Sequence, residues 1–196
     1  MTDKEVFGDR RRALEDEYFH RQERELMEKL RQRGLEDATR RGMSERTGVA
    51  DEEILRDLQA LGYTPETVML LHLVPLLQMA WAEGSVSDSE RDLILEAARA
   101  RGVDKDSAAD RQLAAWLTDR PSEELFEKTL RAIAAILQLR PLEERDASEK
   151  DLVTRLTAIA SASGGILGFG KVSPQEQEML ERITQAMVRA HSGLDS

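Results

Sequence analysis

The residues best suited to chemistry in this 196-residue chain are carboxylates beside two glycine-containing turns. Glu83, Asp88 and Glu90 lie near the first turn, and Glu176 and Glu178 near the second. Hard cations bind through oxygen, and calcium needs six or more oxygens converging on one point. A weak site for a divalent cation, calcium or magnesium, with Glu83, Asp88 and Glu90 as ligands is therefore one expectation. Local structure explains the same residues without a metal. Ser87-Asp88-Ser89-Glu90 reads as a reciprocal helix cap, with serine at the N-cap and glutamate three residues on, and Asp88 suits the positive end of a helix dipole. Asp104-Lys105-Asp106 opens like a calcium loop, but Ala109 stands where the turn glycine belongs and Ala115 where the terminal glutamate belongs.

Gly165-Ile166-Leu167-Gly168-Phe169-Gly170-Lys171 has the spacing of a phosphate-binding loop. Such a loop joins a strand to a helix and needs a hydroxyl residue after the lysine to hold magnesium. Here Val172 follows Lys171, and the preceding segment is helical in pattern. The glycines instead permit a tight excursion in which Ile166, Leu167 and Phe169 fold back on the core or meet a partner. Cysteine is absent, which removes disulfides, thiolate nucleophiles and cysteine-ligated zinc together. His20, His72 and His191 are the only imidazoles and form no His-Glu-x-x-His pattern. No nucleophile, base and orienting acid can be assembled by spacing, so no catalytic or cofactor-binding residue is assigned and a non-enzymatic role is expected.

The elements that must position these groups are all helical in pattern. Val68 to Ala82 is apolar except for His72 and Gln78, so a helix there must be covered on every side. The run ends at Glu83-Gly84, short of the roughly 20 apolar residues of a membrane span. Thr64-Pro65 predicts the start of this helix and Pro75 a bend near Leu71. Around it the spacing predicts helices over 51–61, 87–101, 107–117, 125–140, 148–163 and 174–191, with Leu113, Trp116 and Leu117 facing inward. Trp81 and Trp116 read as core anchors whose indole nitrogens need partners. No two-residue alternation of useful length occurs, which makes the fold class all-α.

Charge divides the chain. Residues 1–50 hold 12 Lys plus Arg against 12 Asp plus Glu, and residues 51–196 hold 16 against 26, so the second part carries the whole net charge of −10. That surface repels a phosphate backbone and disfavours nucleic acid as a partner, while cations or basic protein surfaces suit it. From Phe7 to Arg33 the chain reads as an exposed, charge-laced helix with opposite charges four apart, as at Glu17 and Arg21. Leu14, Tyr18, Leu26 and Leu30 form its apolar stripe, flanked by Phe19 and Met27, suited to docking on a protein partner or on a second copy of itself. Gly34, Gly42 and Gly48 mark the stretch to Thr47 as a broken or flexible linker. The expected division is an arm and linker over 1–48 and a helical domain over 49–196. The N-terminus has neither the basic start nor the apolar core of a signal peptide, so a cytoplasmic protein is expected.

A repeat lies within the second part. Ala80-Trp81-Ala82-Glu83-Gly84 followed by Val86-Ser87-Asp88-Ser89-Glu90 has a counterpart in Ala160-Ser161-Ala162-Ser163-Gly164 followed by Val172-Ser173-Pro174-Gln175-Glu176. Each copy reads as a helix, a glycine turn and a serine-capped helix, so two related hairpins could enclose one core. Gly84, Val86, Ser87 and Glu90 in this setting resemble the tellurite-resistance TerB family, and Gly164 to Gly170 resembles the glycine-rich turn of longer bacterial TerB-like proteins. The resemblance covers about residues 50–190. It implies a pseudo-symmetric helical bundle in a cytoplasmic protein tied to stress response or tellurite resistance, an acidic surface for divalent cations, and no catalysis. Family members commonly carry aspartate before the turn glycine, where this chain has Glu83 and Ser163. Separately, Phe7-Gly8-Asp9-Arg10-Arg11-Arg12-Ala13-Leu14-Glu15 is similar to the start of the zeta-type inhibitor of the bacterial F-type ATP synthase. That similarity implies an alternative role, a regulator whose N-terminal helix inhibits ATP hydrolysis.

Overall fold

The computed structural model describes the backbone of residues 3–139, 141–162 and 174–192. Side chains are described from residue 17 to residue 185, except at 140, 142–143, 145–146, 149 and 163–173. Among the described residues every regular element is a helix, as the periodicity predicts. In chain order these are α1 (Asp3–Thr47), α2 (Glu52–Ala60), a 3-10 segment (Val68–Leu73), α3 (Val74–Ala80), α4 (Asp88–Ala100), α5 (Ala108–Thr118), α6 (Glu123–Gln138), α7 (Leu142–Ala162) and α8 (Pro174–Ser192).

The apolar run is central, but its geometry differs from the single bent helix expected. Thr64 and Pro65 start no helix. Thr64 and Thr67 instead close a turn, the Thr64 backbone N–H donating to Thr67 Oγ1 at 2.9 Å. A 3-10 segment then runs to Leu73, and α3 begins afresh with Pro75 in its first turn. Proline lacks an N–H, and in the first turn no intrahelical donor is needed, so restarting the helix avoids the hydrogen bond that a continuous rod would lose. From Val68 to Ala80 every side chain is buried except those of Met69 and His72. Helices α4, α6, α7 and α8 all pack on α3, and the buried apolar side chains described, Ala134 apart, form one continuous cluster.

Polar links fix the surrounding helices. The Tyr63 hydroxyl and Thr129 Oγ1 lie 3.1 Å apart in the core, and burial pushes the Tyr63 phenol well above its usual range. Lys128 Nζ reaches Asp57 at 2.8 Å and Glu124 at 3.0 Å, tying α2 to α6. Half-buried Trp81 finds the indole partner expected of it, Nε1 donating to the Trp116 carbonyl at 2.9 Å, and Trp116 is buried in the core as expected, its ring meeting Tyr63 edge-on. Ser107 and Ser122 cap α5 and α6. Helix α7 begins at Leu142, ahead of the expected start at Ser148.

The expected linker is helix. α1 runs unbroken through Gly34 and Gly42, and the chain divides into units Met1–Thr39 and Arg40–Ser196 rather than at residue 48. The last turns of α1 belong to the second unit because their side chains are held there. Met43 is fully buried in the core cluster, Arg40 Nη1 donates to Gln59 Oε1 at 2.7 Å, and Ser44 Oγ donates to the Val49 carbonyl at 2.6 Å. Gly42 is a close-approach glycine, since a Cβ there would lie 2.6 Å from Pro65 Cγ. At Gly34 an added Cβ would meet nothing within 4 Å. These two glycines of one helix should respond oppositely to alanine. Gly34→Ala should raise far-UV helicity, with about 1 kcal/mol of added local helix stability, whereas Gly42→Ala should lower the calorimetric melting temperature.

Candidate functional site

Among the described residues, the acidic turn before α4 and the first unit of α1 are places where this chain could meet another molecule. The turn is shaped by Gly84, whose φ of +87° is a conformation that side-chain-bearing residues rarely adopt. It delivers the chain to Ser87 in an extended conformation, ready to cap α4. The reciprocal cap is present as the spacing predicts. Glu90 Oε2 accepts from the Ser87 backbone N–H at 2.8 Å and from Ser87 Oγ at 2.7 Å, while the Glu90 backbone N–H donates to Ser87 Oγ at 3.3 Å.

Glu90 is only 2% exposed, unusual for a glutamate. Its pKa is raised, first by desolvation and then by the charges of Glu176 and Glu83, against the lowering effect of the Ser87 hydrogen bonds. Glu176, at the start of α8, is also buried. Glu83 and Glu176 thus both lie within electrostatic reach of Glu90. It does not bring a cation cage. Glu83 and Asp88 are exposed, and among the described residues no group of three or more His, Asp or Glu side chains converges on a point that could hold a metal ion. Glu178 is exposed as well. The Asp104–Asp106 stretch forms an internally bonded turn, with the Asp110 carboxylate accepting from the Asp106 backbone N–H at 2.8 Å and pairing with Arg99 at 2.6 Å. The glycine-rich stretch 164–170 lies outside the described residues, and the chain enters it from a helix, α7.

A cleft of about 400 Å³ beside α3, α6 and α8 is lined by Gln78, Arg131 and Arg182 among others. Gln78 is buried, and its amide oxygen has no hydrogen-bond donor among the described residues. That oxygen is sealed from solvent, so it is a local packing cost and not a group presented to a ligand.

The arm offers more. Of the eight large apolar side chains exposed among the described residues, six lie on α1: Tyr18, Phe19, Leu26, Met27, Leu30 and Leu35. The expected stripe nevertheless needs correcting. At roughly 100° per residue, Leu26 and Leu30 are turned about 80° and 120° from Tyr18, so these three do not share one face. Phe19, Leu26 and Leu30 do, falling within about 40° of one another. Phe19, read only as a flanking residue in the sequence, is a member of the patch, and helical-wheel angles would have found it. The Leu14 side chain and those of Phe7 to Glu15 lie outside the described residues. Compared with family models, curated proteins and solved structures, the chain matches none.

The raised Glu90 pKa has a checkable sign. The folded state favours the protonated carboxyl, so this contribution to stability is fully present below the unfolded pKa of about 4.5 and is lost as pH rises through the folded value. Glu90→Gln keeps an acceptor for Ser87 but cannot ionise. The melting temperature of the variant relative to the parent chain should therefore rise between pH 4 and pH 7. Glu90→Ala removes the carboxylate half of the reciprocal cap and likewise cannot ionise, so its melting temperature should lie below the parent's at pH 4 by an amount that shrinks at pH 7.

Proposed function

We propose that this chain is a non-enzymatic, TerB-like protein-interaction module that binds its partner through the first unit of α1. The observation that carries this reading is the Phe19, Leu26 and Leu30 face, with exposures of 67%, 58% and 53%. Single exposed apolar residues are ordinary, but aligned ones on a long, otherwise charged helix are the anchors of helix-mediated recognition. The balanced charge of residues 1–50 lets the helix approach protein surfaces that the acidic remainder of the chain would repel.

Support for the TerB-like part is that α3 packs on both α7 and α8, and that Glu90 and Glu176, which correspond in the sequence repeat, are both buried. In this reading the second unit is a rigid carrier for the arm, in a protein of the stress-response or tellurite-resistance type. A cation on its acidic face would bind weakly and without a preformed cage. A regulator of the F-type ATP synthase would use the same helix, through Phe7 to Glu15, and would lose inhibition when residues 1–39 are deleted.

Replacing both Leu26 and Leu30 with serine should reduce capture of partner proteins from a cell extract by about tenfold or more, the loss expected for anchor residues. Calorimetric stability of the chain should change by less than about 0.5 kcal/mol, as for surface substitutions. A large drop in melting temperature would place the arm in the core and remove the basis for the proposal.

A further inference from the structure

We propose that the arm's partner is the arm of a second copy of this chain, paired antiparallel about a twofold axis between Leu26 and Leu30. This rests on the reading of the arm as a protein-binding element, and it names the occupant. An isolated helix gains most of its stability in proteins from packing an apolar face, and here that face is exposed. Phe19, Glu23, Leu26, Leu30 and Arg33 follow one another at intervals of four, three, four and three residues, the spacing of a coiled-coil seam.

Charge selects both the occupant and the direction. Antiparallel alignment sets Leu26 against the partner's Leu30 and Leu30 against the partner's Leu26. The same alignment sets Glu23 against the partner's Arg33 and Arg33 against the partner's Glu23, so an opposite-charge pair closes each end of the leucine contact. A parallel, in-register pair would instead oppose Glu23 to the partner's Glu23 and Arg33 to the partner's Arg33. Complementary charges fix register and exclude wrong partners more than they add affinity. Glu23 and Arg33 are both exposed, and Glu23 has His20 3.8 Å away as its neighbour on α1. Asp37 falls opposite the partner's Phe19 and confines the apolar contact to the central turns. Met27 borders the seam on one side and Lys29 on the other. The contact is short, so the dimer is weak and depends on concentration.

Sedimentation velocity of the full chain between about 1 µM and about 500 µM should show a reversible monomer–dimer equilibrium. Glu23→Arg alone and Arg33→Glu alone should each weaken it by about tenfold or more, and the double variant Glu23→Arg/Arg33→Glu should recover most of the loss. Circular dichroism of each variant checks that the helices remain. Because the chain has no cysteine, direction can be read by oxidation: Leu26→Cys and Leu30→Cys chains should cross-link when mixed and resist linking when kept apart. A parent chain that stays monomeric throughout, charge variants that dimerise like the parent, an unrecovered double variant, or self-linking of the separate cysteine chains would each overturn the pairing. If the parent is monomeric while the double serine variant still loses its captured proteins, self-pairing falls and the interaction-arm reading stands. If capture is also unchanged, both fall.

Discussion

Enclosure of the segment from Val68 to Ala80 is the constraint on which the rest of this molecule depends. Every side chain in it but those of Met69 and His72 is buried, so helices must cover it from almost all directions. A short 3-10 segment and a seven-residue helix cannot hold themselves together in water, since isolated helices shorter than about 12 residues are marginal. Their geometry is imposed by α4, α6, α7 and α8, and they in turn supply the apolar surface on which those helices bury their own stripes. Burial of this kind leaves polar groups few options. Tyr63 pairs with Thr129, Trp81 donates to a backbone carbonyl, and Glu90 closes the cap of α4.

That economy separates the two parts of α1. Its last turns are drawn into the core by Met43 and by the close approach of Gly42 to Pro65. Its earlier turns keep Phe19, Leu26 and Leu30 exposed on one face. One helix therefore carries both a stabilising end and an unsatisfied one. The acidic second unit supplies most of the net charge, and the arm, with 9 Lys plus Arg against 11 Asp plus Glu over residues 1–39, supplies the surface that can approach another protein. Glu90 shows how the same logic works at the turn. A carboxylate that looks like a metal ligand in sequence is occupied by the backbone and side chain of Ser87, and its burial favours the protonated form.

Much of the fold was legible because its signals are local. Ser87 with Glu90 announces a cap, and Leu113, Trp116 and Leu117 an inward face, and each sits where spacing puts it. The departures arise where tertiary contact overrides local chemistry. Gly34 and Gly42 suggest a break, but the surrounding Leu, Arg, Glu and Met are good helix formers, and Gly42 is small because Pro65 lies against it. Thr64-Pro65 has the chemistry of a helix start, yet Pro75 takes that role, because a helix running through it would strand a carbonyl in the core. The apolar patch on the arm was visible as residues but not as a face, since twelve residues is not a whole number of helical turns.

The central claim is that the core is built around the Val68–Ala80 segment and that the final turns of α1 are part of it. Hydrogen exchange read by mass spectrometry, at a concentration where sedimentation shows a monomer, tests this most directly. The account predicts the slowest exchange across Leu70–Ala80, with protection along α1 high near Met43 and falling steadily towards Tyr18. Protection near Tyr18 and Leu26 equal to that of the buried segment would contradict it, because the arm would then be part of the core.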